Sequence, residues 1–228
     1  MSKKKVVSYT NGSESSKRII WLTALNDEQK EAIKTFSDPD NVITILNGPA
    51  GSGKTFMAVS WGLEQLRKGN FEKLIFSRPV VEAGESLGFL PGSFADKLSP
   101  FMIPIFDTLG DHLSVDEIKK LVEANKIITL PLAYMRGCTF KNAFVLLDEA
   151  QNATGKQLHL FLTRVGKNAK VIITGDNSQS DINGNNGLKD AMFRLKDIPG
   201  LAIVELTSNS IVRHPIIAEI DKRYQLKI

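Results

Sequence analysis

"NGPAGSGKTF", residues 47–56, lies between the apolar run "VITIL" at 42–46 and the helix-like stretch "MAVSWGLEQL" at 57–66. Three glycines, a lysine and a threonine crowded where a strand hands over to a helix imply close approach to the backbone. Gly48, Gly51 and Gly53 let the chain curl so that successive amides point at one anion. The helix beginning near Lys54 adds about half a positive charge at the same place. The segment "GPAGSGKT" fits the pattern GxxxxGK[ST], a phosphate cradle made of Gly48, Pro49, Ala50, Gly51, Ser52, Gly53, Lys54, Thr55 and Phe56. In such a cradle Lys54 reaches β- and γ-phosphates and the Thr55 hydroxyl holds Mg2+. The competing reading is a glycine loop that only packs.

Size and composition restrict what surrounds this loop. A chain of 228 residues hides roughly 70–75% of its unfolded surface, enough for one α/β core. Hydrophobic content of 42% and charged content of 24% are those of an ordinary globular domain. No apolar run approaches the roughly 18 residues that span a bilayer, so a membrane protein is not expected. "MSKKK" is followed by "VVSYTNGSESSK" where a signal peptide would place its apolar stretch. The single cysteine, Cys138, forms no internal disulfide and suits a reducing, cytoplasmic setting. The formal charge of +4 is localised: residues 1–18 hold five bases against Glu14, leaving 24 basic and 24 acidic residues beyond them. A charged, solvated tail at 1–18 followed by a neutral domain at 19–228 is the expected division.

Short β-branched or apolar runs recur through that domain: "VITIL" at 42, "KLIFS" at 73, "KIITL" at 126, "AFVLL" at 143, "KVIIT" at 170 and "LAIVEL" at 201. They alternate with helical patterns near 27–36, 54–68, 114–124, 154–165, 187–196 and 214–224. The alternation predicts an α/β fold, a mostly parallel twisted sheet with helices on both faces. Between Arg78 and Phe94, "RPVVEAGESLGFLPGSF" breaks both periodicities and reads as a long functional loop.

A cradle binds but does not hydrolyse. "AFVLLDEAQN" at 143–152 is a buried-type strand ending in two acids. Asp148 at its carboxyl end suits the metal, and Glu149 suits polarising an attacking water. The alternative makes Asp148 a helix N-cap and Glu149 a first-turn acid. "KVIITGDNSQSD" at 170–181 adds a third strand end, where Asp176 and Gln179 would flank the γ-phosphate, Gln179 as its sensor. A plain Gly-Asp-Asn turn is the rival reading.

In order and spacing, "NGPAGSGKT", "SRPVVEAGESLGFLPG", "LAYMRGCTF", "VLLDEAQN", "LTRVG", "ITGDNSQ" and "IVRHPII" resemble the PhoH-like ATPases. These are similar to the first motor lobe of superfamily 1 helicases. The resemblance runs from about Ala24 to Tyr224. It implies a single RecA-like P-loop NTPase domain with the 170–174 strand between those ending at Leu46 and Leu147. It also implies ATP hydrolysis, oligomers, and action on RNA or single-stranded nucleic acid. Position by position, Lys54 and Thr55 match the phosphate and metal residues, Asp148 and Glu149 the acids, Asp176 and Gln179 the sensor, and Arg213 the arginine of "VRHP". Two departures stand out. Cys138 replaces an arginine of the "YMRG" motif, and Ser210 replaces an aspartate before "VRHP", which would loosen Arg213.

Four further assignments follow. In "LNDEQ" at 25–29, Gln29 resembles an adenine-reading glutamine, while Asn26 and Gln29 equally have capping-box spacing. Only 52 residues follow Asp176, too few for a second lobe of roughly 100. An arginine finger would therefore come from a neighbouring subunit, with Arg213 acting in trans in a hexameric ring. The competing reading pairs Arg213 with an acid at a helix start. Arg78, Tyr134 and Arg136 are candidate nucleic-acid contacts, with surface packing or ion pairing as the alternative. His112 and His159 lack metal-site spacing and are assigned to packing or solvent.

Overall fold

The computed structural model describes residues 22–80, 94–179, 186–207, 210–211 and 223, with the side chains of 94–100 excepted. The proposed tail, the 81–93 stretch, Arg213 and, apart from residue 223, the expected helix at 214–224 fall outside these residues. Each of the six apolar runs forms a strand: β1 (Ile43–Asn47), β2 (Lys73–Ser77), β3 (Ile127–Thr129), β4 (Ala143–Leu147), β5 (Ala169–Gly175) and β6 (Leu201–Glu205). All strand pairs are parallel and the order is β3-β2-β4-β5-β1-β6. β5 therefore lies between β1 and β4, the arrangement expected of a RecA-like sheet.

The central strands are apolar at almost every position because each face has its own core. From β4, Phe144 and Leu146 enter one cluster with Leu46, Leu74, Phe76 and Ile172. Ala143, Val145 and Leu147 enter the other with Ile45, Ile75, Val171 and Ile173. Helices α1 (Asp27–Ser37), α2 (Lys54–Arg67), α3 (Phe94–Gly110) and α4 (Val115–Glu123) serve the first cluster, and α5 (Gly155–Leu162) and α6 (Gly187–Arg194) the second. Both faces are covered, as the alternating pattern predicts.

Helix α3 is absent from the sequence expectation. Pro100 and Pro104 lie inside it, and proline in a helix interior removes a donor and crowds the preceding turn. Tertiary packing overrides that penalty, since Met102, Ile105 and Leu109 are buried on one face at helical spacing. Among the described residues no helix is long and apolar enough to cross a membrane.

Candidate functional site

The carboxyl ends of β1, β5, β4 and β2 converge. β1 runs directly into the cradle, where Gly51 and Gly53 have φ of 83° and 84°, a left-handed backbone that glycine adopts without strain. Gly48 is required for a different reason: a Cβ there would lie 2.7 Å from both Cβ and the carbonyl oxygen of Leu206. Helix α2 follows with Gly53 at its cap, which makes no side-chain cap bond. By contrast, Asn26, Ser114, Thr154 and Asn186 cap α1, α4, α5 and α6. An uncapped N-terminus has donors for an anion. The Lys54 ammonium donates to the carbonyls of Gly48 at 2.6 Å and Pro49 at 2.8 Å, acceptors with which a phosphate would compete for it. Ser52 is fully buried, its hydroxyl donating to Pro49 O at 2.8 Å. Ala50 is exposed, and the Phe56 ring packs on His112, centroids 5.4 Å apart.

Gln29 meets one half of the capping-box reading. Asn26 caps α1 by accepting from Gln29 N at 2.9 Å. The box is not reciprocal, because Gln29 Oε1 accepts from Leu25 N at 2.8 Å and not from the cap residue. Its Nε2 donates to Ser52 O at 3.0 Å, so the buried amide braces the cradle from α1.

Asp148 is 2% exposed. Its Oδ1 accepts from Thr55 Oγ1 at 2.8 Å and from Thr174 Oγ1 at 2.6 Å. Its Oδ2 lies 3.3 Å from Arg78 Nε. These partners offset the cost of burying a carboxylate. Neither acid starts an α-helix, as the rival reading required: Glu149 precedes the 3-10 turn Ala150–Asn152 without a side-chain cap bond, and the next helix is capped by Thr154. Glu149 has φ 56°, and every other non-glycine with positive φ among the described residues is Asn or Asp. Such a conformation costs on the order of 1 kcal/mol and is common where function dictates geometry. Gln151 Nε2 donates to Glu149 Oε2 at 2.5 Å while its Oε1 accepts from Asp176 N at 3.1 Å, joining the acid to the β5 strand end.

Asp176 serves the turn through Oδ1, which accepts from Ser178 N and Oγ at 3.0 and 2.6 Å. Its Oδ2 is buried without a partner, an atom suited to a donor supplied by ligand or water. The turn reading is thus met through Oδ1. Gln179 follows on the exposed side of the turn. The donor set fits Mg2+: Thr55 and Asp148 offer hard oxygens at one point. Among the described residues no group of three or more His, Cys, Asp or Glu could hold a metal ion, so phosphate and water would complete its shell.

Arg78 is not displayed at the surface with Tyr134 and Arg136. Its side chain is 16% exposed and also lies 3.4 Å from Glu149 Oε1, so ion pairing, the alternative, holds. Tyr134 is 56% exposed and Arg136 is exposed, both beyond the carboxyl end of β3. Ser210 is fully buried, its hydroxyl donating to Glu28 and lying 3.2 Å from Asn26 Oδ1; Arg213, which the departure would loosen, lies outside the described residues. His112 is buried, 2.7 Å from Ser60 Oγ, and His159 is exposed, as assigned. Sequence reasoning missed Thr174, Gln151 and the site role of Arg78; their one signal is proximity to the strand ends.

The PhoH-like protein family model matches residues 21–225. A PhoH-like protein of Bacillus subtilis is 46% identical over 198 residues, covering 86% of this chain and 61% of the relative. Protein PhoH of Escherichia coli is 37% identical over 196 residues, covering 84% of this chain and 55% of the relative. The chain thus spans less than two-thirds of the length of these relatives. Among solved structures, the large terminase of a thermophilic bacteriophage in complex with ADP matches with a TM-score of 0.55 at 13% identity. That match covers 88% of this chain and 50% of the terminase, and it speaks to the fold. With a glycine cradle, paired acids and a RecA-like strand order in one P-loop NTPase domain, the chain belongs to the PhoH-like protein family.

Proposed function

We propose that this chain is a Mg2+-dependent ATPase of the cytoplasm that works on RNA or single-stranded nucleic acid. The observation that carries the reading is the 2.8 Å contact between Thr55 Oγ1 and Asp148 Oδ1. It brings the cradle helix and the acid strand to one point although β5 lies between their parent strands. The ADP complex of the terminase is in keeping with a nucleotide there.

In this scheme the cradle amides and Lys54 hold the phosphates, and Gln29 holds the cradle. Thr55 and Asp148 hold the cation, which when bound would neutralise charge on the β- and γ-phosphates. Glu149 polarises the attacking water, and Asp176 and Gln179 report the γ-phosphate. Arg213 of a neighbouring subunit in a hexameric ring supplies the finger, worth about 10³–10⁵ in rate. Tyr134 and Arg136 offer a stacking face and a charge to a single strand.

The test is an ATPase assay with and without RNA and single-stranded DNA, on wild type and Glu149→Gln. Glu149→Gln is expected to lower turnover about 10²- to 10⁴-fold while ATP still binds. Undiminished turnover in this variant, or no heat of binding at millimolar nucleotide and Mg2+, would end the proposal. One observation favours a second reading, a slow nucleotide-gated module that recruits a protein partner: both Glu149 oxygens already have partners, Arg78 and Gln151. Under that reading Glu149→Gln leaves partner capture nearly unchanged.

A further inference from the structure

The register of the sheet sets Arg78 beside the two acids. Ser77 of β2 pairs with Leu147 of β4, so the next residues, Arg78 and Asp148, are neighbours across the strand ends. The guanidinium lies 3.3 Å from Asp148 Oδ2 through Nε and 3.4 Å from Glu149 Oε1 through Nη2. Its Nη1 donates to the carbonyl of Phe101 in α3 at 2.8 Å. With Thr55 and Thr174 on Asp148 Oδ1, both oxygens of Asp148 are engaged. With Gln151 on Oε2, so are both oxygens of Glu149.

Resting on the nucleotide-site reading above, we propose that Arg78 is a positioning residue that competes with the divalent cation for Asp148 and restrains Glu149. A guanidinium and Mg2+ both seek carboxylate oxygen, and the positive charge that stabilises the acid pair in one case repels the metal in the other. A cation held by Thr55 and Asp148 therefore binds against the charge of a guanidinium 3.3 Å from Asp148 Oδ2. Because the same side chain is bonded to the main chain of α3, a displacement of that helix and a release of the acids are one event. The acids are thus coupled to an element that carries no residue of the cradle.

The experiment is binding of a fluorescent ATP analogue to wild type, Arg78→Gln and Lys54→Ala, titrated with Mg2+ and repeated in EDTA. Arg78→Gln is expected to lower the half-saturating Mg2+ by about threefold or more, as loss of one competing charge predicts, and to leave binding in EDTA unchanged. An unchanged or raised Mg2+ requirement overturns the proposal, and weaker binding in EDTA does so by making Arg78 a phosphate ligand. Either result leaves the site reading standing if wild type binds and Lys54→Ala does not. Wild type that fails to bind sinks both. If Arg78→Gln does not fold, Arg78→Lys keeps the charge but not the three directed contacts. Its Mg2+ requirement is expected to fall by a smaller factor, and no change there also overturns the proposal.

Discussion

Gly48 shows how one position serves two requirements. It stands at the mouth of the cradle, yet the atoms that forbid a side chain belong to Leu206, at 2.7 Å. Gly48→Ala must therefore push the β6 exit away from β1 and is expected to cost about 1–3 kcal/mol by overpacking. Urea unfolding measures it, and an unchanged midpoint would contradict the clash. The cradle motif was legible because glycine and lysine spacing is a property of the chain itself. Thr174 and Arg78 were not: each reaches Asp148 through the pairings Leu147↔Ile173 and Ser77↔Leu147, and partners so far apart in the chain have no local signature. Gln29 was half legible, since its cap partner is three residues away and its Ser52 partner is 23.

Among the elements, α1 is joined to β5 by Lys170. This lysine is 7% exposed; its ammonium donates to Asp38 O at 2.9 Å and to Asn41 O, and lies 5.9 Å from the Trp61 ring centroid. Burial lowers its pKa from 10.5 to about 8, opposed by the Asp38 charge. The folded form thus releases its proton while the unfolded chain still holds one, and the cost of burying the charge applies in full below about pH 8. That cost is relieved as pH rises from about 8 toward 10.5, so stability should gain on the order of 1–3 kcal/mol from this group across the window. Lys170→Met lacks the titration. Its stability relative to wild type, from urea unfolding at about pH 7.5 and about pH 10, should fall as the pH rises, and a constant difference would refute the assignment. On the other side of α1, hydrogen bonds from Ser210 and Thr207 hold the Glu28 carboxyl below its usual range, securing the chain as it leaves β6. Helix α3 was hidden from sequence reading by its prolines, whereas α4 and α5, expected at 114–124 and 154–165, are held in the structure by the capping boxes Ser114–Glu117 and Thr154–Gln157.

For the whole molecule, the expected assembly follows from an incomplete charge set. Lys54 and Arg78 are the basic side chains seen at the acids and cradle among the described residues, and the second is committed to the acids. A further arginine at the γ-phosphate is expected from a neighbour, and Arg213→Ala should lower turnover about 10³-fold or more. Near-normal turnover in that variant, or an active species that sediments as a monomer, would remove the ring from the proposal. By itself the sequence determined the six strands, most helices, the cradle and the acid pair. Each of these is written in local periodicity or in residues a few positions apart. The tertiary structure alone decided that Arg78 faces inward, that Thr174 and Gln151 complete the site, and that α3 exists at all. Those outcomes depend on strand register and packing between distant segments, where one residue of slip would turn Arg78 and Thr174 away from Asp148.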